Sequence, residues 1–142
     1  MLESVSVSRQ VAQRPLVSKG RVFVVDEDRG DLAYYRSILQ RAGWTVVACS
    51  SYMEALGFLR SESFDLVVVS QGGCSFEGRT ALEYATMIDR KRPVLVVARS
   101  LDMGCYLEAM RLGAVDYLEG PVPEMELMRA TEASLTGSSV AA

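Results

Sequence analysis

The chain has 142 residues, 49% of them hydrophobic and 23% charged, which suits one globular domain with its own core and leaves no room for a second. A formal net charge of −3 and the lack of any dense basic block argue against a nucleic-acid footprint, and Arg90-Lys91-Arg92 reads as a solvated helix end. No apolar run approaches the roughly 18 residues of a membrane span, and Met1-Leu2-Glu3-Ser4 does not open a signal peptide, so a cytoplasmic protein that meets no membrane is expected. Cys49, Cys74 and Cys105 lack CxxC spacing and there is no His, which argues against a zinc site or a disulfide framework and leaves buried, reduced thiols as the expectation.

Residues 1–19, with Ser4, Ser6, Ser8, Gln10, Gln13, Arg14, Pro15 and Ser18, are too polar for a strand with a buried face and read as a flexible extension. A domain over 20–135 follows. Its first strand is Arg21–Val25, and Leu32, Tyr35, Leu39 and Ala42 then fall at helical spacing up to Gly43. Thr45–Ala48 is the second strand, with Ala55, Leu56 and Leu59 on the helix after it; Leu66–Val69 and Val94–Val97 are the third and fourth. Tyr106, Ala109 and Met110 mark a helix that closes at Gly113, before a fifth strand at Val115–Leu118. Residues 136–142 read as a frayed tail. Short β-branched runs without alternation suit strands covered on both faces, and five of them alternating with five helices imply an α/β, doubly wound, five-stranded parallel sheet. Right-handed crossovers would place a site at the carboxyl ends of the strands.

The residues at those ends are unusual as a set. Asp26, Glu27 and Asp28 follow the first strand; Ser70 ends the third, with Gly78 eight residues on; Ala98 and then Arg99 end the fourth. The fifth lies in Gly113-Ala114-Val115-Asp116-Tyr117-Leu118-Glu119-Gly120-Pro121. Over about residues 20–135 this pattern resembles the receiver domain of bacterial response regulators, a flavodoxin-like fold. The resemblance implies that Asp26 and Glu27 are the acids that hold Mg²⁺. It also implies that Ser70 stands where the phosphoacceptor Asp belongs, Ala98 where a Ser or Thr hydroxyl belongs, and Gly120 where a Lys belongs. Tyr117 matches the aromatic residue whose orientation reports activation, and Gly120-Pro121 matches a cis bond.

Phosphoryl transfer needs an anionic oxygen nucleophile, Mg²⁺, a hydroxyl and an ammonium group around the developing charge. Ser70 offers a neutral hydroxyl, no His is present to activate it, and one of three carboxylate ligands is missing. Asp26 and Glu27 are therefore expected to bind Mg²⁺ weakly at most, with no cofactor otherwise. Losing one acid and one ammonium leaves the charge sum of the pocket unchanged, while Asp26, Glu27 and Asp28 still repel one another. Arg99 is the nearest candidate counter-ion, and an Arg99 bridge to the Asp26–Glu27 pair is one expectation, a solvated Arg99 the other. With Ala98 beside it, Tyr117 has room to turn inward; an ordinary strand-end tyrosine is the alternative. The loop from Ser70 to Gly78, rich in glycine, is expected to be loose, and Cys74 within it inert.

These features point to a degenerate receiver that has lost its phosphoacceptor and serves as a phosphorylation-independent protein-interaction module in phosphorelay signalling, not as an enzyme. By the resemblance, a protein partner or a second copy is expected on the fourth helix, fifth strand and fifth helix, about residues 101–135. Tyr106, Met110, Met125 and Met128 add apolar material there, although their spacing assigns most of them to the core. Two other readings stay open: unconventional phosphorylation on Asp26 or Ser70, and a small-ligand sensor using space vacated between Ala98, Gly120 and the loop.

Overall fold

The computed structural model describes residues 18–136; apart from Ser18, Lys19 and Thr136, the expected extension and tail lie outside the described residues. The elements are β1 (Arg21–Val25), α1 (Arg29–Arg41), β2 (Thr45–Cys49), α2 (Tyr52–Ser61), β3 (Leu66–Ser70), α3 (Arg79–Ile88), β4 (Val94–Ala98), α4 (Met103–Arg111), β5 (Asp116–Glu119) and α5 (Glu124–Thr136). All strand pairs are parallel and the order is β2-β1-β3-β4-β5, so chain order reverses beside β1.

Alternate strand residues feed two cores. Phe23, Val25, Val67, Val69 and Val96 pack under α2, α3 and α4. Val22, Val24, Leu66, Val68 and Leu95 meet Tyr35, Ile38 and Leu39 of α1 and Leu127 of α5. With both faces covered, β3 and β4 are buried at every position, which is why their sequences are unbroken apolar runs. Asp28, Ser51 and Asp102 cap α1, α2 and α4, each side chain accepting a first-turn N–H, from Asp31, Glu54 and Cys105 respectively. Gly43 and Gly113 follow α1 and α4 with φ of 105° and 106°, the left-handed closure that their positions predict. Ser18 and Lys19 are tied to the body. The Ser18 and Thr45 hydroxyls lie 3.0 Å apart, Lys19 N–H donates to the Gly43 carbonyl, and the Lys19 ammonium pairs with Glu132.

Four expectations need correction. The fifth strand starts one residue later than its apolar run, because the ladder pairs Leu95 with Asp116 through to Ala98 with Glu119. Arg92 is not solvated: it is buried, and its guanidinium donates to the Ala85 carbonyl at 3.1 Å, closing the last turn of α3 as the chain enters β4. Met110 and Met125 lie outside the core, 37% and 79% exposed; with Met103 and Leu107, Met110 makes an apolar stripe along α4, and Leu101 is exposed just before that helix. Cys49 and Cys105 are buried as expected, but Cys74 is exposed.

Candidate functional site

β1 and β3 are neighbours in register, Val25 beside Val69, so the next residues, Asp26 and Ser70, meet at the carboxyl edge of the sheet. Asp26 is 4% exposed. Its carboxylate accepts the Asp28 N–H at 2.9 Å, and the Ser70 hydroxyl stands beside it. The Ser70 oxygen accepts the Gly72 N–H at 3.2 Å, and the Ser70 carbonyl accepts the buried Tyr52 hydroxyl at 3.0 Å. Burial drives the Asp26 carboxyl up to about 6, and the negative charges of Asp31 and Asp28 add to that, against the downward pull of the Asp28 N–H and the Ser70 hydroxyl.

The folded Asp26 therefore holds a proton that the unfolded chain has released between about pH 6 and the ordinary carboxylate value of 3.8. Through this group stability rises as pH falls across that window, and is least favoured above it. Asp26→Asn keeps an acceptor for Asp28 and gives Ser70 an amide partner. It is expected to raise the thermal unfolding midpoint at about pH 8, with the gain fading towards about pH 4. A midpoint difference that does not vary with pH would contradict this.

The other acids are divided differently from the sequence expectation. Glu27 is exposed and does not share the bridge. Arg99 reaches instead to Asp28, Nη2 to Oδ2 at 2.5 Å, and to Asp31, Nε to Oδ2 at 2.7 Å. The reason is local. Asp28 caps α1 and Asp31 is in its first turn, so helical spacing presents both carboxylates to the β4–α4 loop, whereas Asp26 stays against the sheet. The Asp31 N–H and the Arg99 guanidinium hold the Asp28 carboxyl below the usual range.

Ala98 is buried, and its carbonyl accepts the Gly120 N–H at 2.5 Å. The Gly120-Pro121 bond is cis, as the resemblance implies. A Cβ added at Gly120 would lie 2.6 Å from the Val122 nitrogen and 2.8 Å from the Tyr35 hydroxyl, so a longer residue there needs the backbone to shift. A crevice of about 260 Å³ opens nearby, lined by residues 71–74 and 99–102.

Tyr117 points inward. It is buried, packs edge-on against Tyr106 with centroids 5.5 Å apart, donates its hydroxyl hydrogen to Gln71 Oε1, and accepts the Asp102 N–H at 3.3 Å. Gln71 is 2% exposed and its amide also donates to the Gly73 carbonyl at 3.2 Å. Sequence reasoning missed Gln71, Asp31 and Tyr52. A polar residue directly after an unbroken apolar strand, and an acid three residues after an N-cap, were the available signals.

Magnesium, which the resemblance implies, finds a poor donor set. Among the described residues no group of three His, Cys, Asp or Glu side chains is arranged around one point, Asp28 is committed to Arg99, and Ser70 contributes a neutral oxygen.

The family model described as the response regulator receiver domain matches residues 22–132. The chain belongs to that family. Among curated proteins this receiver domain is 28% identical over 127 residues to the transcriptional regulatory protein FixJ of Bradyrhizobium diazoefficiens, covering 89% of the chain and 62% of FixJ. It is 27% identical over 114 residues to ZraR of Escherichia coli, covering 80% of the chain but 26% of that protein. The chain thus spans about a quarter to three fifths of these relatives. A CheY-like receiver domain from Methanospirillum hungatei superposes with a TM-score of 0.78 at 21% identity, covering 89% of this chain and 99% of the other. A response regulator from Thermotoga maritima gives 0.72 at 26% identity, covering 85% and 99%. The fold is that of the receiver domains of two-component response regulators, which are signalling modules, and among the described residues no helix is long and apolar enough to cross a membrane.

Proposed function

We propose that this receiver domain works as a phosphorylation-independent interaction module that binds a protein partner, or a second copy, through α4, β5 and α5. The observation that carries the reading is the group at the β3 end. Ser70 presents a neutral hydroxyl beside Asp26, its oxygen accepting the Gly72 N–H, where an anionic nucleophile would be needed. Three further features support it: Arg99 neutralises Asp28 and Asp31 without a metal, Ala98 offers no hydroxyl, and Gly120 has no room for an ammonium-bearing side chain. The interaction face is supported by Met103, Leu107 and Met110, exposed along one side of α4, by Leu101 just before it, and by Met125 on α5. Relatives such as FixJ and ZraR are transcriptional regulators, so a partner within two-component signalling is the matching class.

Incubation with acetyl phosphate and Mg²⁺ followed by intact mass measurement is expected to leave the protein unmodified. One observation favours a second reading: the Ser70 hydroxyl stands beside Asp26, a carboxylate whose affinity for a proton is raised, which resembles a nucleophile beside a base. A stoichiometric phosphate adduct mapped to Ser70 or Asp26 would favour that reading and overturn the first.

A further inference from the structure

The β3–α3 loop and α4 each bring a cysteine to the same place. Cys105 lies in the first turn of α4, 5% exposed, and its thiol donates to the Cys74 carbonyl at 3.5 Å. Cys74 is exposed at the tip of a tight turn, in which the Phe76 N–H returns to the Gly73 carbonyl at 3.0 Å. Gly72 and Gly73 precede it, so the turn can adjust with little steric hindrance. The crevice lined by residues 71–74 and 99–102 opens beside it and admits a small solute to the loop.

We infer that Cys74 and Cys105 are an oxidation-sensitive pair, in which a peroxide oxidises the exposed Cys74 and Cys105 then closes an intramolecular disulfide between the loop and α4. In the first step Cys74 sulfur attacks one peroxide oxygen, the O–O bond breaks, and Cys74 becomes a sulfenic acid while the other oxygen leaves as water. In the second, Cys105 sulfur displaces the sulfenic oxygen, which departs as water with the Cys105 thiol proton. Two thiols and one hydrogen peroxide thus give one disulfide and two waters, the sulfurs losing two electrons and the peroxide gaining them. The order follows from accessibility. Cys105 is shielded from bulk oxidant, and burial together with the neighbouring Asp102 and Cys74 pushes its thiol up to about 11, so the exposed Cys74 meets peroxide first and Cys105 closes the bond because it is held beside it. Cys49 sits on the far edge strand with its thiol donating to the Ser51 carbonyl at 3.2 Å, and serves as an internal control.

The bond would pin the first turn of α4, the helix that carries Met103, Leu107 and Met110 on its exposed side. That consequence rests on the proposed interaction face, whereas the covalent step does not. Cytosolic disulfides are usually transient and regulatory, so the expected bond forms on oxidant exposure and is reversed by reductant.

The test treats the full chain with a small molar excess of hydrogen peroxide, followed by intact mass measurement and peptide mapping under non-reducing conditions. The expected result is loss of two hydrogens with no added oxygen, a Cys74–Cys105 link, and reversal by dithiothreitol. Cys74→Ser, at an exposed position, should abolish the loss; Cys105→Ala should leave a Cys74 sulfenic acid that dimedone traps. Retention of three free thiols, a link through Cys49, or disulfides formed only between copies would each overturn the pair. Once the bond has formed, amide exchange over residues 103–106 should slow about tenfold, and unchanged exchange there would overturn its effect on α4 while leaving the acetyl phosphate result untouched.

Discussion

Gly78→Ala is expected to lower the thermal unfolding midpoint by about 10 °C or more, with the loss spread over the whole domain. A Cβ at this position would lie 2.0 Å from the Ser70 carbonyl oxygen and 3.0 Å from a Val69 methyl. The backbone angle is not the cause, since Gly78 has an ordinary φ of −78°. The neighbours have little freedom to retreat. The Ser70 carbonyl is held by the Tyr52 hydroxyl, and the Gly78 N–H is bonded to the Gln71 carbonyl at 3.0 Å. Relief therefore breaks a buried hydrogen bond or bends β3, and the cost should reach the top of the roughly 1–3 kcal/mol range for overpacking. Urea denaturation measures it, and a midpoint equal to that of the parent protein would mean that the β3–α3 loop yields freely.

Gln71→Leu and Tyr117→Phe are expected to have the next largest effect, each costing about 1–3 kcal/mol because each leaves a buried polar group without its partner. The two side chains belong to one chain of bonds, from the Gln71 amide through the Tyr117 hydroxyl to the Asp102 N–H, and Asp102 itself caps α4 by accepting the Cys105 N–H at 2.9 Å. Removing either end frees the start of α4 from the β3 edge. The double variant should cost clearly less than the sum of the singles, with a coupling of about 0.5–3 kcal/mol. Amide exchange should quicken first over residues 102–106. Strict additivity, or faster exchange in β1 and β2 to the same degree, would show that the bond merely contributes to global stability.

Strand positions were legible because a doubly wound sheet buries each strand on both faces and forces uninterrupted β-branched runs, as in Leu66–Val69 and Val94–Val97. The helix closures at Gly43 and Gly113 were legible for an equally local reason, since only a residue without a side chain enters the left-handed region cheaply. The site was legible only in part. Asp26, Ser70, Ala98 and Gly120 follow from the resemblance together with their places at or just after the strand ends, but the partner of Arg99 does not. Proximity in sequence makes Asp26 and Glu27 look equivalent to Asp28, whereas the turn into α1 sends Asp26 against the sheet and carries Asp28 and Asp31 to the surface where Arg99 waits.

By itself the sequence determined the layered α/β fold, the ends at which the candidate site lies, and the residue types that stand there, because each of these depends on residue type and short-range periodicity. The tertiary structure decided the pairings: Ser70 with Asp26, Arg99 with Asp28 and Asp31, Tyr117 with Gln71, and Cys105 with Cys74. Each joins residues separated by tens of positions, so its existence depends on how parallel strands in the order β2-β1-β3-β4-β5 bring loop ends together, a long-range outcome that no local pattern encodes.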